Sequence, residues 1–191
     1  AYRNLRLNQK KRYMLSAQLS YDITDWLNIA GRVRVDNSHT KYEQKLYASS
    51  NATITEESTQ GHYTIAKPDE TQTYADVLAN INKRFGDYSL VANVGASIVN
   101  NKYEELSYRG PIREKGIPNV FNVFDLDNAK KKARQDEWQE QTQSVFASVE
   151  VGWKSMLYLT LTGRNDWASQ LANSSTSSFF YPSVGLSGII S

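Results

Sequence analysis

Residues capable of covalent or metal chemistry are few in this 191-residue chain, which has two histidines, His39 and His62, and no cysteine. The missing cysteines remove disulfides, thiolate metal sites and a cysteine nucleophile, and two histidines set far apart argue against a histidine-based metal centre. Both histidines fall in one long connecting segment, where a histidine could act as the base of an enzyme, but no G-x-S-x-G nucleophile motif accompanies them. The stretch Asp125 to Asn128, DLDN, resembles a fragment of a calcium loop without its glycine or its distal glutamate. No carboxylate pair has a spacing that specifies general acid–base work. The remaining charges of interest are Arg32, Arg34, Asp76, Glu150, Arg164 and Asp166. They can bind a ligand, or they can pair with residues on neighbouring strands, which is the simpler reading. The inventory favours a protein that is not an enzyme and needs neither metal nor cofactor.

Charge gives the same kind of exclusion. Twenty-two basic against 20 acidic residues leave a net charge of +2, too small for a nucleic-acid binder driven by phosphate charge. The basic run in AKKKARQDEWQEQ, Ala129 to Gln141, is offset by Asp136, Glu137 and Glu140 and reads as a solvated loop. Two N-x-S/T sequons, at Asn51 and Asn173, matter only in a eukaryotic secretory route. No apolar run is long enough for a transmembrane helix. A mean hydropathy of −0.57 fits a soluble protein, but it also fits a β-barrel, whose strands alternate apolar and polar side chains. The N-terminus lacks a signal-peptide pattern, and the other end stops on a strand-like run, so we expect a segment of a larger polypeptide.

Seven runs alternate with period two, as strands do. The first places Tyr13, Leu15, Ala17, Leu19 and Tyr21 on one face, and the second sets Ile29, Gly31, Val33 and Val35 against Asn28, Arg32, Arg34 and Asp36. The third opposes Ala75, Val77, Ala79 and Ile81 to Asp76, Asn80, Asn82 and Arg84, with Leu78 as an exception on the polar side. A fourth runs from Tyr88 to Ile98 and a fifth from Val145 to Trp153. In the sixth, LTLTGRNDW, leucines alternate with Thr160, Thr162, Arg164 and Asp166; the seventh, with Val184, Leu186 and Ile190 on one side, is less regular.

Connections alternate in length. Asp22 to Asp25, Gly86-Asp87 and Trp153 to Ser155 are tight turns of the Asp- and Gly-bearing kind that hairpins require. Between them lie roughly 34 residues (Ser38 to Thr71), roughly 37 (Asn101 to Glu137) and roughly 12 (Trp167 to Ser178), lengths that compact soluble domains rarely carry but outer-membrane barrels do. Tyr21, Trp26, Phe85, Tyr88 and Trp153 flank the short turns as one aromatic girdle, and Trp167 shares parity with Leu157, Leu159 and Leu161 at the far end. Ten steps at ~3.3 Å, tilted ~40°, cross ~25 Å, the height of an outer-membrane apolar band. Lys83, outward beside Phe85, can snorkel to the interface. The pattern predicts an all-β fold, about seven antiparallel strands of a large transmembrane β-barrel with short periplasmic turns and long extracellular loops. The alternatives are a soluble antiparallel sandwich acting as a binding module and an outer-membrane enzyme barrel.

Particular words narrow this further. RYMLSAQLSYDITDWLNIAGRVRVD, with its turn Asp22 to Leu27, resembles a strand–turn–strand unit of the SusC/RagA-type TonB-dependent transporters of Bacteroidetes outer membranes. GIPNVFNV, Gly116 to Val123, resembles a loop element of that family, as does LTLTGRNDW followed by SSFFYPSVGLS. The resemblance implies a barrel of about 22 strands with an N-terminal plug, energised by TonB and capped by a SusD-like surface lipoprotein. It further implies import of glycan oligomers or peptides, with no covalent chemistry. The chain would be a wall segment that lacks plug, TonB box and signal peptide, faces outer-membrane lipid, and needs the remaining barrel strands. The aromatic-bearing loop from Tyr103 to Phe124 is the candidate contact surface for cargo or partner. In it Tyr108, Phe121 and Phe124 can stack or anchor, and Arg109, Arg113 and Asp125 can orient polar groups. The competing reading is that Phe121 and Phe124 only pack the loop on itself.

Overall fold

The computed structural model describes residues 4–172 and 178–189. Seven strands, β1 (Leu5–Thr24), β2 (Leu27–Tyr47), β3 (Gly61–Phe85), β4 (Tyr88–Pro111), β5 (Lys132–Trp153), β6 (Leu157–Ala168) and β7 (Ser178–Gly188), form one sheet in sequence order. One 3-10 turn, Ser169–Leu171, follows β6. Ile190 and Asn173 lie outside the described residues, as does part of the last long connection.

Meander order follows from the turns. Two residues close β1 onto β2 and two close β3 onto β4, which joins only antiparallel neighbours. Gly86 supplies a positive φ of 58° in the second turn, and in the β5–β6 turn Lys154 (49°) and Ser155 (56°) both adopt the left-handed region. Such turns match the right-handed twist of the strands they join.

The chain divides into two units. One comprises Met14–Asp36, Gln72–Asn101 and Gln139–Ser191 and holds the short turns. Within it the register builds two chemically opposed faces. Leu159 lies between Val151 and Leu186, and Leu161 between Val149 and Val184. On the opposite face Thr162 lies between Ser148 and Ser183, Arg164 between Phe146 and Tyr181, and Asp166 between Ser144 and Phe179. The less regular seventh run therefore resolves into the same alternation, with Tyr181 and Phe179 set beside the charged residues. The apolar face is exposed: Leu19 is 82% accessible, Leu15 75% and Leu186 71%. Ala92 is the one buried hydrophobic residue of this unit among those described. A soluble sandwich would cover this face with a second sheet; the described residues form one sheet.

The other unit comprises Ala1–Tyr13, Asn37–Thr71 and Lys102–Trp138. It corrects the expected loop lengths. Much of the two longest connections is strand, since β2 continues to Tyr47, β3 begins at Gly61, and β4 continues to Pro111 before β5 opens at Lys132. The irregular connections shrink to 48–60 and 112–131. Period-two hydrophobicity reports a strand only where one face is apolar; in SHTKYEQKL both faces are polar, so the ladder continues with no hydropathy signal. The unit has a small core of its own, Leu46, Tyr63, Ile112 and Leu126.

Close packing on the polar face gives a mechanical test. Gly95 leaves room for the Phe146 ring: a Cβ there would stand 2.6 Å from a ring carbon and 2.8 Å from the Val77 carbonyl oxygen. We expect Gly95→Ala to destabilise the assembled barrel by about 1–3 kcal/mol in urea unfolding of the full-length protein. Adding Phe146→Leu should restore only part of this, because the Val77 backbone still blocks the methyl. An unchanged unfolding midpoint for Gly95→Ala would refute the packing.

Candidate functional site

Two arrangements can do work, one in each unit. In the unit with the short turns, the charged residues singled out by sequence join a hydrogen-bonded polar face. Arg32 donates to Asp76 Oδ2 from Nε at 3.0 Å and from its terminal nitrogen at 2.5 Å, and the Tyr74 hydroxyl donates to the same carboxylate. Arg34 donates to Gln72 at 3.1 Å, Gln72 to Asn101 at 2.9 Å, and Asn101 to Glu140 at 2.9 Å. Arg164 donates to Asp166 at 2.7 Å on its own strand and to Ser144 at 3.0 Å on β5, and Thr160 donates to Glu150 at 3.2 Å. Near the first turn Asn28 donates to Ser20 and Asp22 and accepts from Asn80. Apart from Arg164–Asp166 and Tyr74–Asp76, which lie within one strand, these links bridge adjacent strands; most of the groups are only part-buried, so each link contributes modestly.

Aromatics occupy the expected turn-proximal positions, all exposed: Tyr21, Trp26, Phe85, Tyr88 and Trp153, with Trp167 at the other end of β6. Lys83 does more than reach outward, since its ammonium lies 4.8 Å from the Trp26 ring centroid, and Lys154 lies 5.2 Å from that of Trp153.

In the second unit, residues 112–131 form a built platform. Ile112 bridges Leu126, and both are 1% exposed. Phe121 packs edge-on against Tyr47, centroids 5.0 Å apart, and lies 6.1 Å from Tyr63. Asn119, at φ 66°, accepts from the Ala48 amide and donates its own amide to the Gln60 carbonyl, while Ser58 donates to the Ile112 carbonyl. Arg113 donates to Asp125 at 2.8 Å, and Asn122 accepts from the Asp125 amide. Phe121 therefore packs the loop, as one of the two readings had it. Phe124 does not: it is 81% exposed with the Arg113 guanidinium 5.3 Å from its centroid, and Ile117 in the same loop is 70% exposed. Tyr108 is half-buried on β4 and Arg109 is exposed. Pattern reasoning missed Tyr47, Tyr63 and Asn119, whose contacts join segments far apart in sequence.

The connection 48–60 folds beside a cavity of about 710 Å³ lined in part by Arg6, Gln44, Glu56, His62, Thr64 and Arg109. His62 is buried, with Nε2 3.5 Å from Glu56, whose carboxylate also lies 4.0 Å from Arg109. Burial pushes the His62 imidazole below its ordinary pKa, outweighing the pull of Glu56. His39 pairs with Asp69 instead, so each histidine is held by a separate carboxylate. Glu43 is held below the ordinary carboxyl range chiefly by the 2.6 Å hydrogen bond from Tyr63, whose phenol is raised by burial and by that bond. Among the described residues no cluster of three or more histidines and carboxylates could hold a metal.

Two outcomes are expected. Phe121→Ala should expose 112–131 to limited proteolysis, whereas Phe124→Ala should leave its cleavage rate unchanged; equal rates in both variants would contradict the division of roles. For His62 the folded pKa is the lower one, so the unfolded segment binds the proton more readily. The connection keeps its full stability above about pH 6.5 and loses it as pH falls through the depressed folded value. Hydrogen exchange of 48–60, corrected for intrinsic rates, should accelerate between pH 7.5 and 5 in the native protein and stay flat in His62→Gln.

Known proteins bear out this architecture. The chain matches the family model described as TonB dependent receptor-like, beta-barrel, over residues 1–187. No curated protein matches the chain. Among solved structures it superposes on the RagAB peptide transporter with a TM-score of 0.80 at 14% identity, over 96% of this chain and 20% of that one. The siderophore receptor PiuA from Acinetobacter baumannii matches with a TM-score of 0.58 at 16% identity, over 94% of this chain and 29% of that one. The chain thus spans about a fifth of the length of the first structure and less than a third of the second. With one antiparallel sheet, an exposed apolar face and this match over nearly its whole length, the chain belongs to the TonB-dependent receptor-like β-barrel family of the bacterial outer membrane.

Proposed function

We propose that this chain is a wall segment of a SusC-like importer, which takes up oligomers too large for a porin together with a SusD-like surface lipoprotein and draws energy from TonB. The observation that carries the reading is the platform 112–131, whose family-like word Gly116 to Val123 is folded on a buried Ile112–Leu126 base and presents Ile117 and Phe124 outward. Large exposed apolar groups on a rigid support suit a protein partner, because little ordering entropy remains to be lost on docking. The contrast in TM-score between the peptide transporter (0.80) and the siderophore receptor (0.58) supports the same choice.

In this reading the polar face lines the lumen. Arg32 is held by Asp76 and Arg164 by Asp166, while Arg34 donates to Gln72 and Glu150 accepts from Thr160, so the wall offers cargo a hydrogen-bonding surface without a deep charged trap. The apolar face meets lipid, with Trp26, Tyr21, Phe85, Tyr88 and Trp153 at the periplasmic interface and Trp167 at the outer one. Extracellular loops capture cargo at the surface, the plug is displaced by TonB, and cargo passes along the lumen. Tyr108 and Arg109 stand on β4 just before the platform, where they would meet partner or cargo.

The test uses the full-length protein extracted from outer membranes in detergent. We expect a polypeptide several times larger than 21.7 kDa, a lipoprotein that co-purifies with it, and uptake of peptide or glycan oligomers that stops when TonB is removed. The double variant Ile117→Ser/Phe124→Ser should lose most of the lipoprotein and keep barrel folding. Uptake that persists without TonB, or a siderophore as the only cargo bound, would overturn the reading.

A further inference from the structure

Tyr103 on β4 and Trp138 on β5 are stacked, with ring centroids 5.5 Å apart and planes inclined by 13°. Neither cluster described above uses them. Trp138 is 47% exposed, so Tyr103 shields part of the indole and leaves a large aromatic surface open. Most exposed tryptophans of this family fold sit beside apolar residues at a membrane boundary; this one lies among charges. Tyr103 donates a 2.5 Å hydrogen bond to Glu105. Arg134 is held to Asp136 at 2.5 Å, and Glu70 lies near enough to act on the Tyr103 phenol.

The balance of charge identifies the ligand. Three carboxylates, Glu70, Glu105 and Asp136, act on the Tyr103 phenol, and Arg134 is already tied to one of them; the pocket that Glu105 and Asp136 line also holds Asp69, Glu104 and Glu137 against a single cation, Lys67. The hydrogen bond to Glu105, followed by burial and the charges of Glu105, Asp136 and Glu70, raises the Tyr103 phenol to about 12. A ring face in such a field attracts cations, through its quadrupole and through the carboxylates together. Stacking alone would accept the flat face of a sugar equally well. The excess negative charge breaks that tie, since a cation gains charge attraction as well as hydrogen bonds, whereas a neutral sugar gains hydrogen bonds alone.

We propose that Tyr103 and Trp138, with Glu105 beside them, form a subsite for the cationic side chains of oligopeptide cargo, those of lysine and arginine. It rests on the importer reading and selects peptide over glycan as the cargo. Tyr103 fixes the indole orientation, Trp138 offers its open face to the ammonium or guanidinium group, and Glu105 supplies the counter-charge.

The experiment measures binding to the full-length transporter in lipid nanodiscs by isothermal titration calorimetry. Three probes of equal length are used: a lysine-rich hexapeptide, an alanine–serine hexapeptide and a neutral glucan hexasaccharide. Trp138→Ala should weaken the lysine-rich peptide about 2- to 30-fold, the range of a cation–π contact. Trp138→Phe should recover part of that loss, and Glu105→Gln should weaken the same peptide while flattening its salt dependence. The alanine–serine peptide should be unaffected by all three. Unchanged lysine-peptide affinity in Trp138→Ala overturns the subsite, as does loss of glucan binding with peptide binding intact. Circular dichroism and heat-modified gel mobility of each variant separate misfolding from lost contact. TonB-dependent uptake that survives in Trp138→Ala with unaltered peptide preference would sink the subsite alone, whereas uptake independent of TonB in the native protein would sink the importer reading.

Discussion

Everything here depends on the requirement that a backbone crossing lipid must satisfy its own polar groups. Hydrocarbon offers no partner for an N–H or C=O, and each one left bare costs several kcal/mol. Helices meet the requirement within one segment; strands meet it only through neighbours. The meander β1 to β7 is the local solution, since each strand is paired with the next in sequence and two-residue turns leave little backbone to satisfy at the lower end. Side-chain packing is secondary in the unit that holds the short turns: its one buried apolar residue among those described is an alanine. Lipid takes the place that a core holds in a soluble protein, and Leu15, Leu19 and Leu186 are exposed because their solvent is hydrocarbon.

Once the ladder is fixed, the side-chain period of two assigns every residue to one of two environments. That is why Arg164 and Leu161, three positions apart, experience opposite chemistry. The inner face must then avoid stranded charges, and it does so with partners drawn from the next strand: Asp76 for Arg32, Ser144 for Arg164, Thr160 for Glu150. Bulky groups are accommodated by missing ones, as Phe146 fills the space left by Gly95. Such pairs hold neighbouring strands in register without a hydrophobic interior.

The sequence was legible where lipid imposes a pattern and illegible where it does not. LTLTGRNDW, the girdle from Tyr21 to Trp153 and the tight turns all follow from one apolar face, and the sheet, its order and its short turns could be read from them. The stretches SHTKYEQKL and ARQDEWQEQ are equally strand, yet polar on both sides, so their extent was hidden behind what looked like long loops. Phe121 and Phe124 are of one residue type in one loop; only Tyr47 and Tyr63, brought in from β2 and β3, give the first a place to pack and leave the second outside. The Tyr103–Trp138 stack was invisible for the same reason, because it exists only through the β4–β5 register.

The strand extensions also explain how an irregular connection can be ordered without a large core. A flexible loop of 30-odd residues would lose its conformational entropy each time it bound a partner or cargo. Here much of that length is spent as paired strand, and the irregular remainder is pinned by a few contacts: the buried Ile112 against Leu126, Phe121 against two tyrosines, Asn119 against two backbone groups of the neighbouring connection. The ordering cost is met during folding, where the strand ladder offsets it, rather than during binding. Apolar and charged groups are left at the surface, Phe124 under Arg113 and Trp138 stacked on Tyr103.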